Sequence, residues 1–441
     1  MSSRFGNPGF GGARSLFKQC EARGRRIPSG PKISQKMRFH MKHVVILLLS
    51  GLLLGLFFYF QASERNANIS RLHFRASAEN KGFNTLYSRN QVNTDQTSSV
   101  DQIRLSHIDQ ILSQMTVEQK IGQLIIGGFG NTILDNELRK LVIEYNIGGF
   151  NLLERNIQDK KQLQKLNTDI QGLAKEHDLP SLFLAVDQEG GLISRIKFLK
   201  ELTPQAEIKT SEQAEAVARR RGGELKELGF NMIFSPILDY VTDPKSYLYP
   251  RSFHVKPDAI VKLSSSMLEG YDAGGIISVP KHFPGYGNVK PDPHKKEVSY
   301  DNIDIFENSL NIFKEVISLA NPQAIMTAHI KVKEIDTKPA TISTVFLKNL
   351  LRENLGYKEL IVSDELSMVS ALENPSAGGS MEEVAVESLM AGHDMLIISL
   401  KPEKISSVIA AIKKAFHDGT ISEEQLDKSV KKVITLKLNY L

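Results

Sequence analysis

Residues 275–294 read GIISVPKHFPGYGNVKPDPH, and the character of the chain changes at Lys281. Up to Pro280 the run is short and apolar, as a buried strand would be. From Lys281 it carries a Lys-His pair, a Pro-Gly turn, a carboxylate at Asp292 and a second histidine at His294. A strand that ends in polar side chains suits a parallel α/β fold, where sites gather at the C-terminal ends of strands.

The same change recurs along the chain. Apolar runs occupy residues 122–128, 148–153, 181–186, 230–238, 324–327, 360–363 and 395–400, about eight with the first. Several are rich in Ile and Val, as expected of strands buried on both faces. Between them, residues 211–228, 257–273, 302–319 and 381–391 place apolar side chains at three-to-four spacing, the period of a helix. This alternation predicts an α/β fold, a (β/α)8 TIM-type barrel over residues 101–441. A doubly wound sheet is the alternative. It would usually carry a Gly-rich phosphate turn after its first strand, and IGGFGN at 126–131 is only a weak approximation to one. Helical stretches at 405–416 and 422–438 follow with no further β-rich region, so a single folded domain is expected.

Ahead of this domain the chain differs. Residues 1–42 carry ten Lys and Arg against one acid, Glu21, so the net charge of +5 leaves about −4 for the remainder. A mildly acidic domain gives no reason to expect nucleic acid as a partner. VVILLLSGLLLGLFFYF, residues 44–60, is 17 residues without a charge, long enough to span a bilayer. The expected organisation is a basic cytoplasmic tail (1–42), a transmembrane anchor (43–62) and a polar linker (63–100). The basic side stays in the cytoplasm, which places the domain outside it. A cleaved signal peptide is the rival reading, more plausible if Met37 or Met41 is the start. The single cysteine, Cys20, precedes the anchor, so the exported part has no disulfide.

Polar residues follow the apolar runs in one sense: Asp187, Asp239, Lys281 with His282, His329 and Asp364. In a barrel these share the C-terminal rim. Asp364 is the candidate nucleophile, since a carboxylate can attack an anomeric carbon and form a covalent glycosyl ester. Its alternative is a helix N-cap. His294 is the candidate acid/base, because histidine exchanges protons near neutrality. Asp292 would hold one of its ring nitrogens. A surface loop with incidental Asp and His is the alternative. His254, His282, His294 and His329 could in principle bind zinc, but no HExxH or comparable spacing is present, so neither metal nor cofactor is expected.

With KHFPGYGNVKPDPH, DQEGG at 187–191 and SDELSM at 363–368, the chain resembles glycoside hydrolase family 3, most closely its single-domain β-N-acetylglucosaminidase (β-hexosaminidase) branch, over about residues 103–441. The resemblance implies a (β/α)8 barrel and a retaining mechanism. It implies Asp364 as nucleophile, His294 as acid/base and Asp292 as its partner. It also implies that Asp187, Arg195, Arg251, Lys281 and His282 contact a terminal N-acetylglucosamine. Four positions depart from the family pattern: Tyr286 replaces the second histidine of FPGHG, Pro293 the serine of DSH, Pro250 an Asp before RSF, and Leu192 an Arg after DQEGG. Pro293 restricts the backbone of Asp292. The absence of Trp removes the commonest sugar-stacking platform. The expectation is an envelope-anchored, monomeric exo-β-N-acetylglucosaminidase on the extracytoplasmic side of a bacterial inner membrane, acting on peptidoglycan-derived fragments. A glycoside phosphorylase using the same residues, and a catalytically weak glycan-binding protein, are the alternatives.

Overall fold

The computed structural model describes residues 99–300, 303–368 and 379–441. Eight parallel strands occupy the predicted apolar runs: β1 Ile125–Gly127, β2 Gly149–Leu152, β3 Phe183–Val186, β4 Met232–Ile233, β5 Ile277–Ser278, β6 Ala324–Met326, β7 Leu360–Glu365 and β8 Met395–Ile398. Their spatial order is β5-β4-β3-β2-β1-β8-β7-β6, so each pairs with its sequence neighbour and β8 returns to β1. Nearly every strand residue is buried, which explains the absence of polar alternation in the sequence.

The remaining gap, between β5 and β6, is bridged by residues 280–283. On one side Met326 N–H donates to Pro280 O (3.0 Å), Phe283 N–H to Met326 O (2.8 Å) and Ala328 N–H to Phe283 O (2.7 Å). On the other, Lys281 N–H donates to Pro236 O (3.0 Å). The expected barrel is thus present, and its seam is the segment that carries Lys281 and His282.

Helices return the chain between strands. After β1 comes α3 (Asn136–Ile143), after β2 α4 (Lys160–Glu176), after β3 α5 (Ser211–Glu227), and after β4 α6 (Pro257–Ala273). Then α7 (Ile303–Ala320) precedes β6, a π-helical segment (Val345–Asn354) precedes β7, and α8 (Met381–Ala391) precedes β8. The described residues open on α1 (Ser99–Gln114) and α2 (Val117–Gln123), and end on α9 (Pro402–His417) and α10 (Glu423–Tyr440). Thr210, Ser380 and Ser422 cap α5, α8 and α10 by accepting backbone N–H bonds, which satisfies otherwise orphaned donors. In α4, Leu163, Leu166, Ile170 and Leu173 form the buried stripe.

The predicted tail (1–42), anchor (43–62) and almost all of the linker lie outside the described residues. Among the described residues, no helix is long and apolar enough to cross a membrane.

Candidate active site

Asp187, Asp239, Lys281, His282, His329 and Asp364 all lie at or just past the C-terminal ends of their strands. A parallel barrel places these ends on one rim. Past β3 the chain forms a hairpin, Gln188–Gly190 with Ile193–Ser194. The DQEGG motif explains this turn: Gly190 has φ +93°, and a Cβ there would lie 2.1 Å from Thr203 O. The hairpin presents Asp187, Glu189 and Arg195 from one short stretch, and leaves Leu192 exposed at its tip.

Charges interlock behind this hairpin. Lys281 Nζ lies 2.6 Å from Asp187 Oδ1 and 2.7 Å from Glu189 Oε1. Arg251 grips Glu189 with two bonds, Nε to Oε2 at 2.9 Å and Nη2 to Oε1 at 2.7 Å. Burial alone would raise the Glu189 carboxyl, but Arg251 and Lys281 hold it well below the usual carboxylate range. Burial works against the charged lysine too, yet Asp187 and Glu189 push the Lys281 ammonium above its ordinary value. Arg195 lies 4.0 Å from Asp187, and its buried Nε has no hydrogen-bond partner among the described residues.

A second network supports the nucleophile candidate. Asp239, fully buried, accepts His282 Nδ1 at 2.7 Å and the N–H groups of His282 (3.2 Å) and Tyr286 (2.5 Å). Asp364 Oδ1 accepts Glu365 N–H at 2.8 Å, and Oδ2 accepts the Tyr286 hydroxyl at 3.3 Å. Burial opposes ionisation of Asp364. His282, His329, the Glu365 N–H and Lys281 together outweigh it and hold the carboxyl below its ordinary value. Burial lowers the His329 ring below its ordinary value, and its Nε2 lies 3.0 Å from Glu365 O. Asp364 terminates a strand and caps no described helix; Ser380 caps the helix that follows.

Asp292 and His294 form a separate pair. Asp292 Oδ1 takes both His294 N–H (3.0 Å) and His294 Nδ1 (2.8 Å). Lys295 N–H closes the turn onto Asp292 O at 2.9 Å, which puts Pro293 at a position where its fixed φ is favoured. The substitution therefore shapes the turn rather than disrupting it. Among the described residues, no hydrogen bond joins this pair to Asp364. Tyr247 stands between the groups: its ring is 6.2 Å from the His294 ring and 5.7 Å from the Arg251 guanidinium. Burial raises its phenol, Arg251 lowers it, and the charges of Asp292, Glu189 and Asp364 all act on it. His254 lies apart, stacked on Tyr249.

Sequence reasoning gave no role to Glu189, Tyr247 or the Tyr286 hydroxyl. Glu189 carried a signal, since it stands inside DQEGG. Tyr247 carried none, lying in an irregular loop.

Fold and rim define a (β/α)8-barrel protein with a carboxylate-and-cation site at the C-terminal ends of its strands. The sequence model described as Glycosyl hydrolase family 3 N terminal domain matches residues 116–436, and the chain belongs to that family. Beta-hexosaminidase A of Pseudoalteromonas piscicida is 30% identical, over 69% of this chain and 56% of its own. A Beta-hexosaminidase of Neisseria gonorrhoeae is 32% identical, over 62% of this chain and 77% of its own. Among solved structures, a glycoside hydrolase family 3 beta-N-acetylglucosaminidase from Paenibacillus sp. aligns with a TM-score of 0.69 at 31% identity, covering 74% of this chain and 63% of that one. The chain thus spans little more than half of the Pseudoalteromonas relative.

Proposed function

We propose that this chain is a retaining exo-β-N-acetylglucosaminidase, anchored at the outer side of a bacterial inner membrane, that removes terminal N-acetylglucosamine from peptidoglycan-derived fragments. The observation that supports this reading best is Asp364, a half-buried carboxylate held ionised on the rim beside the interlocked Asp187, Glu189, Lys281 and Arg251. The names of the family relatives support the sugar.

In the first step His294 gives a proton to the glycosidic oxygen while Asp364 attacks the anomeric carbon. The leaving group departs and a glycosyl-aspartate ester remains. In the second step His294 takes a proton from water, which attacks the same carbon and releases Asp364. Asp292, bonded to Nδ1, fixes the tautomer so that Nε2 exchanges the proton.

The test is hydrolysis of an aryl β-N-acetylglucosaminide beside the matching β-glucoside, with Asp364→Ala as control. Cleavage of the first, reduced at least about a thousandfold in the variant, is expected. Full activity in the variant would sink the assignment. Sugar 1-phosphate released in phosphate buffer would replace hydrolysis by phosphorolysis.

A further inference from the structure

We infer that the Tyr286 hydroxyl donates a hydrogen bond to the Asp364 carboxylate and thereby sets how fast the glycosyl-aspartate ester breaks; the kinetic part of this inference rests on the retaining reaction proposed above. Tyr286 occupies the place of the family pattern's second histidine, so the device belongs to this chain's own sequence.

The geometry leaves the proton one destination. The Tyr286 hydroxyl accepts the His329 N–H at 2.9 Å. Its own hydrogen then points to Asp364 Oδ2, 3.3 Å away. The ring is buried and packs edge-on against His282 at 5.0 Å, while Asp239 pins the Tyr286 backbone N–H at 2.5 Å. Burial and the Asp364 charge both keep the phenol protonated far beyond neutral pH. With Glu365 N–H on Oδ1, each oxygen of the nucleophile receives one donor.

Such a bond is stronger to a carboxylate than to an ester. When Asp364 attacks, its charge drains away and the bond weakens. When water attacks the anomeric carbon, the C–O bond to Asp364 breaks, its electron pair returns to the carboxylate, and His294 takes the water proton. The bond strengthens in that second step only. Tyr286 therefore speeds deglycosylation and, by stabilising the free carboxylate, slows glycosylation.

The experiment compares Tyr286→Phe with the full-length wild type on an activated aryl β-N-acetylglucosaminide. Expected is a kcat lowered about 10- to 100-fold, a KM lowered by at least as much, and a pre-steady-state burst of released aryl alcohol. Replacing Tyr286 by 3-fluorotyrosine, which keeps the hydroxyl, should restore wild-type kcat and abolish the burst. Carbon-13 NMR of aspartate carboxyls gives a readout independent of turnover: the Asp364 carboxyl should titrate higher in Tyr286→Phe. Unchanged kcat, no burst and an unchanged titration overturn the inference. A shifted titration in Tyr286→Phe, with a wild type that turns over no substrate, would leave the hydrogen bond standing and reject the proposed activity instead.

Discussion

On one rim, the side chains of Glu189 and Lys281 are each 2% exposed, whereas that of His294 is 54% exposed. The buried group holds its shape by charge, each ion neutralised by another. The exposed pair holds its shape by a turn, with Asp292 bonding the histidine that follows Pro293. Binding and proton transfer place different demands on a site. A recognition surface gains from immobility. A proton donor needs access to the leaving group and to water, so rigidity must come from local backbone geometry rather than from burial.

This contrast breaks most readily at Glu189. Glu189→Ala strands the buried Arg251 and leaves Lys281 with Asp187 alone, and breaking a buried pair costs about 3–5 kcal/mol. A melting temperature lower by several degrees, together with a large loss of kcat/KM, is expected. An unchanged melting curve would show that the cluster is not a unit. At the exposed pair the balance should reverse. Asp292→Ala should lower kcat about 10- to 100-fold on substrates with poor leaving groups, much less on activated ones, and leave the melting curve in place. Loss of stability equal to that of Glu189→Ala would erase the distinction. A pH profile sharpens it further. The Asp364 carboxyl is depressed in the folded protein, so its ionised form and the stability it brings are present above the unfolded value. Both are lost only as pH falls through the lower folded value. The acid limb of kcat/KM should therefore lie below the ordinary aspartate range, and a limb above it would contradict the site electrostatics.

The smallest effect is expected beneath the barrel. Lys437 is buried against the Phe183 ring at 5.1 Å, with Gln123 Oε1 at 2.8 Å, and burial lowers its ammonium to about 7. Because the folded value is depressed, the unfolded chain binds the proton more readily, and the penalty is relieved as pH rises above about 7. Lys437→Met should raise the melting temperature more at pH 6 than at pH 9. Equal shifts at both would place the effect in packing alone.

The strands were legible because burial on both faces leaves short Ile/Val runs that survive any detail of register. Seven of the eight runs contain their strand whole, and β7 extends two residues past its run. The polar residues after them were legible for the same reason, since a parallel barrel puts every strand end on one side. The π-helical segment Val345–Asn354 was not, because its hydrogen-bond register depends on packing rather than on its apolar spacing. Glu189 shows the other limit. Its residue type and motif are visible, but its partners Lys281 and Arg251 are set by tertiary folding, and no local pattern announces an ion pair between distant loops. Tyr286 reads in sequence as a departure from a family pattern. Only the placement of the His329 N–H shows where its hydroxyl points.

The seam of the barrel has a consequence for how the molecule opens. Residues 280–283 close the sheet through the Phe283 N–H, Ala328 N–H and Met326 N–H bonds, and the same residues carry Lys281 and His282 into the rim. A ligand that grips those two side chains therefore clamps the cylinder shut. Amide hydrogen exchange at Phe283, Met326 and Ala328 should slow when the rim is occupied, and the molecule's tightness as a closed ring becomes readable from its saccharide affinity.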